Sequence, residues 1–166
     1  MDKVDCAQAT ELDLPPCHAR VAAIVGYWRS LRPASGLLPG RQHFDPASIP
    51  SLLPCIRLYD VFRDPWRFRY RLVGTELARQ FGRDLTGTWF GDDMPDPRAT
   101  KSYRDLVFVA SGQGLSYHRG FPVFSSAHKD HLTAERILLP LARDGREVDM
   151  ILGLSVLHPV ASRRVA

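Results

Sequence analysis

The sequence has almost no lysine. Only Lys3, Lys101 and Lys129 occur among its 22 basic residues, so the remaining nineteen are arginine. Cysteine is equally scarce: Cys6, Cys17 and Cys55 are an odd set, so they cannot all pair and nothing points to an oxidising compartment. No stretch approaches the ~18 consecutive apolar residues that a membrane span requires. The opening MDKVDCAQATELDLPPC has mixed charge and no apolar run, unlike a secretory leader. The expected location is therefore cytoplasmic, with no membrane partner. Also missing are a G-x-S-x-G elbow, a phosphate-binding Walker loop and an H-E-x-x-H pair. Ser111-Gly112-Gln113-Gly114 is glycine-rich but follows a helical pattern instead of opening one, the reverse of a phosphate cradle.

What is present is the composition of one soluble globular domain: 166 residues, 45% hydrophobic and 24% charged. The net charge of +4 raises the question of a nucleic-acid partner.

Residues 1–17 lack periodicity and end in Pro15-Pro16, and are expected to be a flexible N-terminal tail. Val21, Ile24, Val25, Trp28 and Leu31 then recur at helical spacing, which predicts a helix over 18–32. After a proline-rich connector, Asp45-Pro46 supplies an N-cap and a first-turn proline, and Pro50 and Pro54 hold any helix there to about a turn. Residues 55–62 read as a strand. Residues 66–73 alternate, with Trp66, Phe68, Tyr70 and Leu72 on one face and Arg67, Arg69 and Arg71 on the other. Arg63-Asp64-Pro65 between them reads as a hairpin turn.

Residues 74–81 form a short helical pattern stopped by Gly82, and Asp96-Pro97 is expected to open a longer helix ending at Gly112. Strands follow over 115–124, 131–141 and 147–158, with a turn at 125–129 and an Asp144-Gly145 hairpin signal. On the last strand Val148, Met150, Leu152, Leu154 and Val156 share a face. Strand runs divided by a helical block predict an α+β class with an antiparallel sheet.

Several segments in this order resemble a PAS domain: Tyr27–Leu31, Asp45–Pro50 with Leu53-Pro54, Phe68–Thr75, Phe81–Gly87, and Leu138–Leu141 before Asp144-Gly145. The likeness is to a compact bacterial single-domain subtype and covers about residues 20–158. It implies a five-stranded antiparallel sheet of order 2-1-5-4-3, helices packed on one face and an N-terminal flanking helix. The domain would span 18–158, followed by a C-terminal tail over 159–166 and no effector domain in the chain.

The resemblance also implies a non-enzymatic sensory or ligand-binding module in signal transduction, acting through a small-molecule pocket and homodimerisation and working on a separate effector protein. Val21, Ile24, Val25 and Trp28 are the candidate dimer face. Phe81, Trp89, Tyr103 and Tyr117 are the candidate aromatic ligand contacts. Arg136 is the polar candidate, because it alternates with Ala134 and Leu138 inside a strand; a one-residue shift would put it in solvent instead. If it faces inward it is a buried cation in need of a partner, and Glu135 points the other way.

Cofactor chemistry finds little support. No histidine lies on the long helix after Asp96, where haem-sensing relatives usually carry their ligand, and no cysteine lies in the helical block, where photoactive flavin domains carry theirs. His118, His128 and His131 match no tight metal spacing, and Asp92-Asp93 resembles a metal pair only superficially. A nucleic-acid role for the arginine stripe would want exposed aromatics beside it, whereas charge on an edge strand also serves to block sheet pairing. Two rivals to the sensor reading are a structural protein–protein interaction module without ligand and a small curved-sheet enzyme using Asp60, Glu76 or Arg136.

Overall fold

The computed structural model describes residues 14–33, 36–112, 114–120 and 132–159, together with the backbone of residues 6–9. The predicted tail is not wholly a tail. Cys6–Ala9 forms a strand, β1, paired antiparallel with Leu115–His118. The rest of residues 1–13, the turn at 125–129, the end of the 115–124 strand, His128, His131 and the tail from 160 lie outside the described residues.

Helix α1 (Ala19–Ser30) begins where His18 Nδ1 accepts the Arg20 amide at 3.1 Å and ends before Pro33. Short 3-10 turns follow at Arg41–His43, Pro46–Ser48 and Leu53–Cys55. Asp45 caps the second as its motif predicts, accepting the Ala47 amide at 3.0 Å. The chain continues with β2 (Ile56–Phe62), β3 (Arg67–Val73) and α2 (Thr75–Phe81), which stops at Gly82 with φ +76°. Only glycine adopts that left-handed conformation without cost.

The expected helix at Asp96-Pro97 is divided in two. Asp96 caps a single turn, Pro97–Ala99, and Thr100 caps α3 (Lys101–Ala110) afresh by accepting the Tyr103 amide. The last strands are β4 (Leu115–Gly120), β5 (Leu132–Leu141) and β6 (Met150–Pro159).

All pairings are antiparallel and the order is β1-β4-β5-β6-β2-β3. Without β1 this is the five-stranded 2-1-5-4-3 sheet of the α+β fold expected from sequence. Both faces are covered. Helix α1 packs on one face against Ile56, Leu58, Tyr117, Ile137, Leu139, Leu152 and Leu154. Helices α2 and α3 pack on the other, with Tyr59, Phe68, Tyr70, Leu138 and Ile151. This double burial explains why β5 and β6 read as nearly continuous apolar runs. Met150, Leu152, Leu154 and Val156 share the α1 face, while Val148, before β6 begins, joins the opposite cluster.

Two sequence expectations need correction. Val21, Ile24, Val25 and Trp28 are 0–2% exposed and packed on the domain's own sheet, and Trp28 Nε1 donates to the Pro140 carbonyl at 2.9 Å. They cannot serve as a dimer face. The alternation of β3 also breaks: a bulge pairs Leu58 with Leu72 but Tyr59 with Tyr70, which turns Leu72 to the opposite face, 44% exposed.

Candidate functional site

The sheet face beneath α2 and α3 carries an unusual amount of charge for an interior. Arg57 on β2, Arg136 on β5 and Asp105 on α3 are 2%, 8% and 2% exposed. Arg136 does face inward. Its Nη2 is paired with Asp105 Oδ2, and its Nη1 donates to Ser102 Oγ at 2.7 Å. Lys101 also reaches Asp105, with Nζ 2.7 and 2.8 Å from the two carboxylate oxygens. The partner that sequence reasoning sought for Arg136 is therefore supplied by the protein. Burial pushes the Arg136 pKa down, as does the nearby Arg57 cation, while Asp105 acts in the opposite sense.

Arg57 has no such answer. Nη1 donates to Ser155 Oγ at 2.8 Å, the guanidinium stands 5.8 Å from the Tyr59 ring centre, and Nε has no partner among the described residues. Its position depends on Gly153, its cross-strand partner on β6. A Cβ there would come within 3.0 Å of Arg57 Cγ and 3.1 Å of Nε. The missing side chain is what lets the arginine stem lie flat across the sheet towards Ser155.

Above these cations lies a cavity of about 380 Å³, lined by Arg57, Tyr59, Tyr70, Phe81, Leu85, Trp89, Phe90, Ser102 and Arg136, with Arg83, Asp92, Asp93 and Met94 also contributing. Phe81, Trp89 and Arg136, three of the candidate contacts, are thus brought together around one cavity. Tyr103 is not among them. It lines a smaller neighbouring cavity and donates its hydroxyl to the Trp66 carbonyl at 3.1 Å.

Tyr117 sits on the opposite face, fully buried in the α1 cluster, because odd positions of β4 point towards α1. Its hydroxyl donates to Glu135 Oε2 at 3.1 Å. Arg57, Tyr59, Tyr70 and Ser102 line the cavity and were missed by sequence reasoning. Arg57 is in phase with Tyr59 and opposite in phase to Ile56 and Leu58, and that pattern could have marked it.

His118, opposite Arg136 in the sheet register, also lies on the charged face. Burial lowers its pKa from 6.5 to about 4, assisted by the Arg136 and Lys101 cations, and its Nδ1 has no partner among the described residues. Tyr70 is pushed well above the usual phenol range, chiefly by burial.

On the α1 face, Glu135 accepts from the His18 amide at 2.7 Å and lies 2.9 Å from His158 Nε2. Burial works to raise its pKa, but bonds from His18, Tyr117 and His158 outweigh that and hold it below the ordinary range.

The arginine stripe of β3 is engaged by its neighbours. Arg69 and Arg71 both pair with Asp60, at 2.9 and 3.3 Å, and Arg67 lies 3.8 Å from the Trp89 ring centre. Among the described residues no group of three His, Cys, Asp or Glu could hold a metal ion, and no helix is long and apolar enough to cross a membrane. Asp60 and Glu76, the carboxylates of the enzymatic alternative, do not line the cavity. Glu76 pairs with Arg20 and accepts from Cys55.

Compared with known families, residues 17–156 match the family described as PAS domain. The chain belongs to that family, and PAS domains are in general sensory or signalling modules. No curated protein and no solved structure gives a match.

Proposed function

We propose that this PAS domain binds a small apolar or aromatic molecule between its sheet and its helical block, and that it signals occupancy without catalysing a reaction. The observation that carries this reading is the cavity: about 380 Å³, with aromatic walls and a cationic floor. That size falls within the ~300–1,000 Å³ of small-molecule sites, and a few convergent polar groups in an apolar pocket are their usual composition.

The mechanism follows from how α3 is attached. Ser102 and Asp105 of α3 both hold Arg136, and Ser102 and Arg136 both line the cavity. A ligand touching them competes for the contacts that seat α3 on the sheet. A molecule that favours one seating over another shifts the population between them, and the altered helical surface then acts on a second copy or on a separate effector protein. Homodimerisation belongs to this proposal. With Val21, Ile24, Val25 and Trp28 turned inward, the face of α1 left for it is the outward one, including Ala22, Ala23 and Gly26.

Native mass spectrometry of freshly purified protein, combined with thermal-shift screening of a metabolite library, tests the reading. The expected result is a retained small molecule, or a rise in Tm of about 5 °C or more with ligand at roughly 100 times Kd. Protein that carries nothing and responds to no compound would leave the interaction-module alternative in place. Light scattering across a concentration series tests the dimer separately.

A further inference from the structure

We infer that the cavity selects a carboxylate, and that Arg57 is the residue that receives it; this deepens the ligand-binding reading above and rests on it. A guanidinium offers five N–H donors in a rigid fork. Arg57 is 2% exposed, and its one hydrogen bond to a described residue goes to the neutral Ser155 hydroxyl at 2.8 Å. Its Nε is buried and has no partner among the described residues, and the side chain lines the cavity. A buried cation without a counter-ion is costly, and the cost is offset only when an anion with matching hydrogen bonds arrives.

The partners of the floor cations point to the class of ligand. Of the two arginines on the cavity floor, Arg136 is paired with Asp105, a carboxylate it shares with Lys101. The acids at the rim are engaged by other groups: Asp93 pairs with Arg83 at 2.8 Å, and Asp92 accepts the Trp89 amide at 3.3 Å. Arg57 is the floor arginine with no described carboxylate bonded to it, and its planar fork matches the two oxygens of a carboxylate. The aromatic walls call for an apolar or aromatic body behind it. Gly153 completes the site, because any side chain there would press on the Arg57 stem.

The test uses matched pairs in which only the charge differs: phenylacetate against phenylacetamide, indole-3-acetate against its amide, and hexanoate against hexanamide. Binding to the wild-type chain is measured by saturation-transfer NMR and calorimetry. The acid is expected to bind about tenfold tighter than its amide, or better, the range of a charge-assisted hydrogen bond. Arg57→Met is expected to erase that preference while still binding the amide weakly, and Arg57→Lys to restore part of it.

Amides that bind as well as acids overturn the carboxylate assignment and leave the ligand-binding reading standing. A preference that survives Arg57→Met removes Arg57 from the role. Absence of binding by every pair, with protein that purifies empty, overturns both. The wild-type comparison decides the charge preference even if Arg57→Met fails to fold.

Discussion

Asp105 on α3 and Arg136 on β5 form an ion pair sealed between helix and sheet, with the two side chains 2% and 10% exposed. Removing one member of such a pair leaves the other charge buried and uncompensated. Asp105→Asn is therefore expected to cost about 3–5 kcal/mol, read from the urea midpoint at constant m-value. A loss below about 1 kcal/mol would mean that water reaches the pair.

His118 gives the domain a weakness towards mild acid. Its pKa in the fold is about 4, against 6.5 unperturbed, so between those values the unfolded chain binds the extra proton. Stability is complete above pH 6.5 and declines as the pH falls towards 4, by about 3 kcal/mol at most. Denaturation midpoints from pH 7.5 to 4 should show this slope, and His118→Gln should flatten it. An NMR titration placing the His118 midpoint near 6.5 would refute the assignment.

Glu135 acts further down the scale. Its carboxylate is held below the ordinary range by its bonds to His18, Tyr117 and His158. The stability it contributes is present above the usual glutamate pKa and is lost as the pH falls through the lowered one. Because the His18 amide opens α1, this acid loss should appear first as release of that helix. The protection factors of the Val21–Val25 amides should fall as the pH drops through that lowered value, and Glu135→Gln should show the reduced protection already at neutral pH.

Ile24→Ala tests where α1 belongs. Ile24 is fully buried against the sheet, so truncation should cost about 2–5 kcal/mol and leave the oligomeric state unchanged. A change in association with little loss of stability would place this face at an interface between copies.

Much of the fold was legible because its signals are local. Alternation marked β3, Asp45 and Gly82 marked ends of helical turns, and the order of elements matched one family. The site was legible in part. Arg136 stood out as a cation within an apolar strand, but only the pairing of β5 with β4 and β6 decides which way an odd or even position faces. The same parity carried Tyr117 to the far side of the sheet. Arg57 was lost among nineteen arginines, since nothing local reveals that its cross-strand neighbour is Gly153 or that its described hydrogen-bond partner is a neutral hydroxyl. The dimer face failed for a related reason: an apolar helical stripe looks the same whether it meets its own sheet or another chain's.

Both outer strands of the five-stranded sheet are covered, at least in part, by their own chain. At one end β1 occupies the outer side of β4. At the other, the segment 87–90 bonds to β3: Tyr70 donates to Thr88 at 2.9 Å, Gly87 to Tyr70 at 2.6 Å, and Phe90 to Phe68 at 2.8 Å. Among the described residues, the outer side of β4 and the middle of β3 are thereby covered, and the edge of the sheet passes to the four-residue β1. So short an edge gives an incoming strand little ladder to extend, which works against runaway polymerisation of copies of this protein.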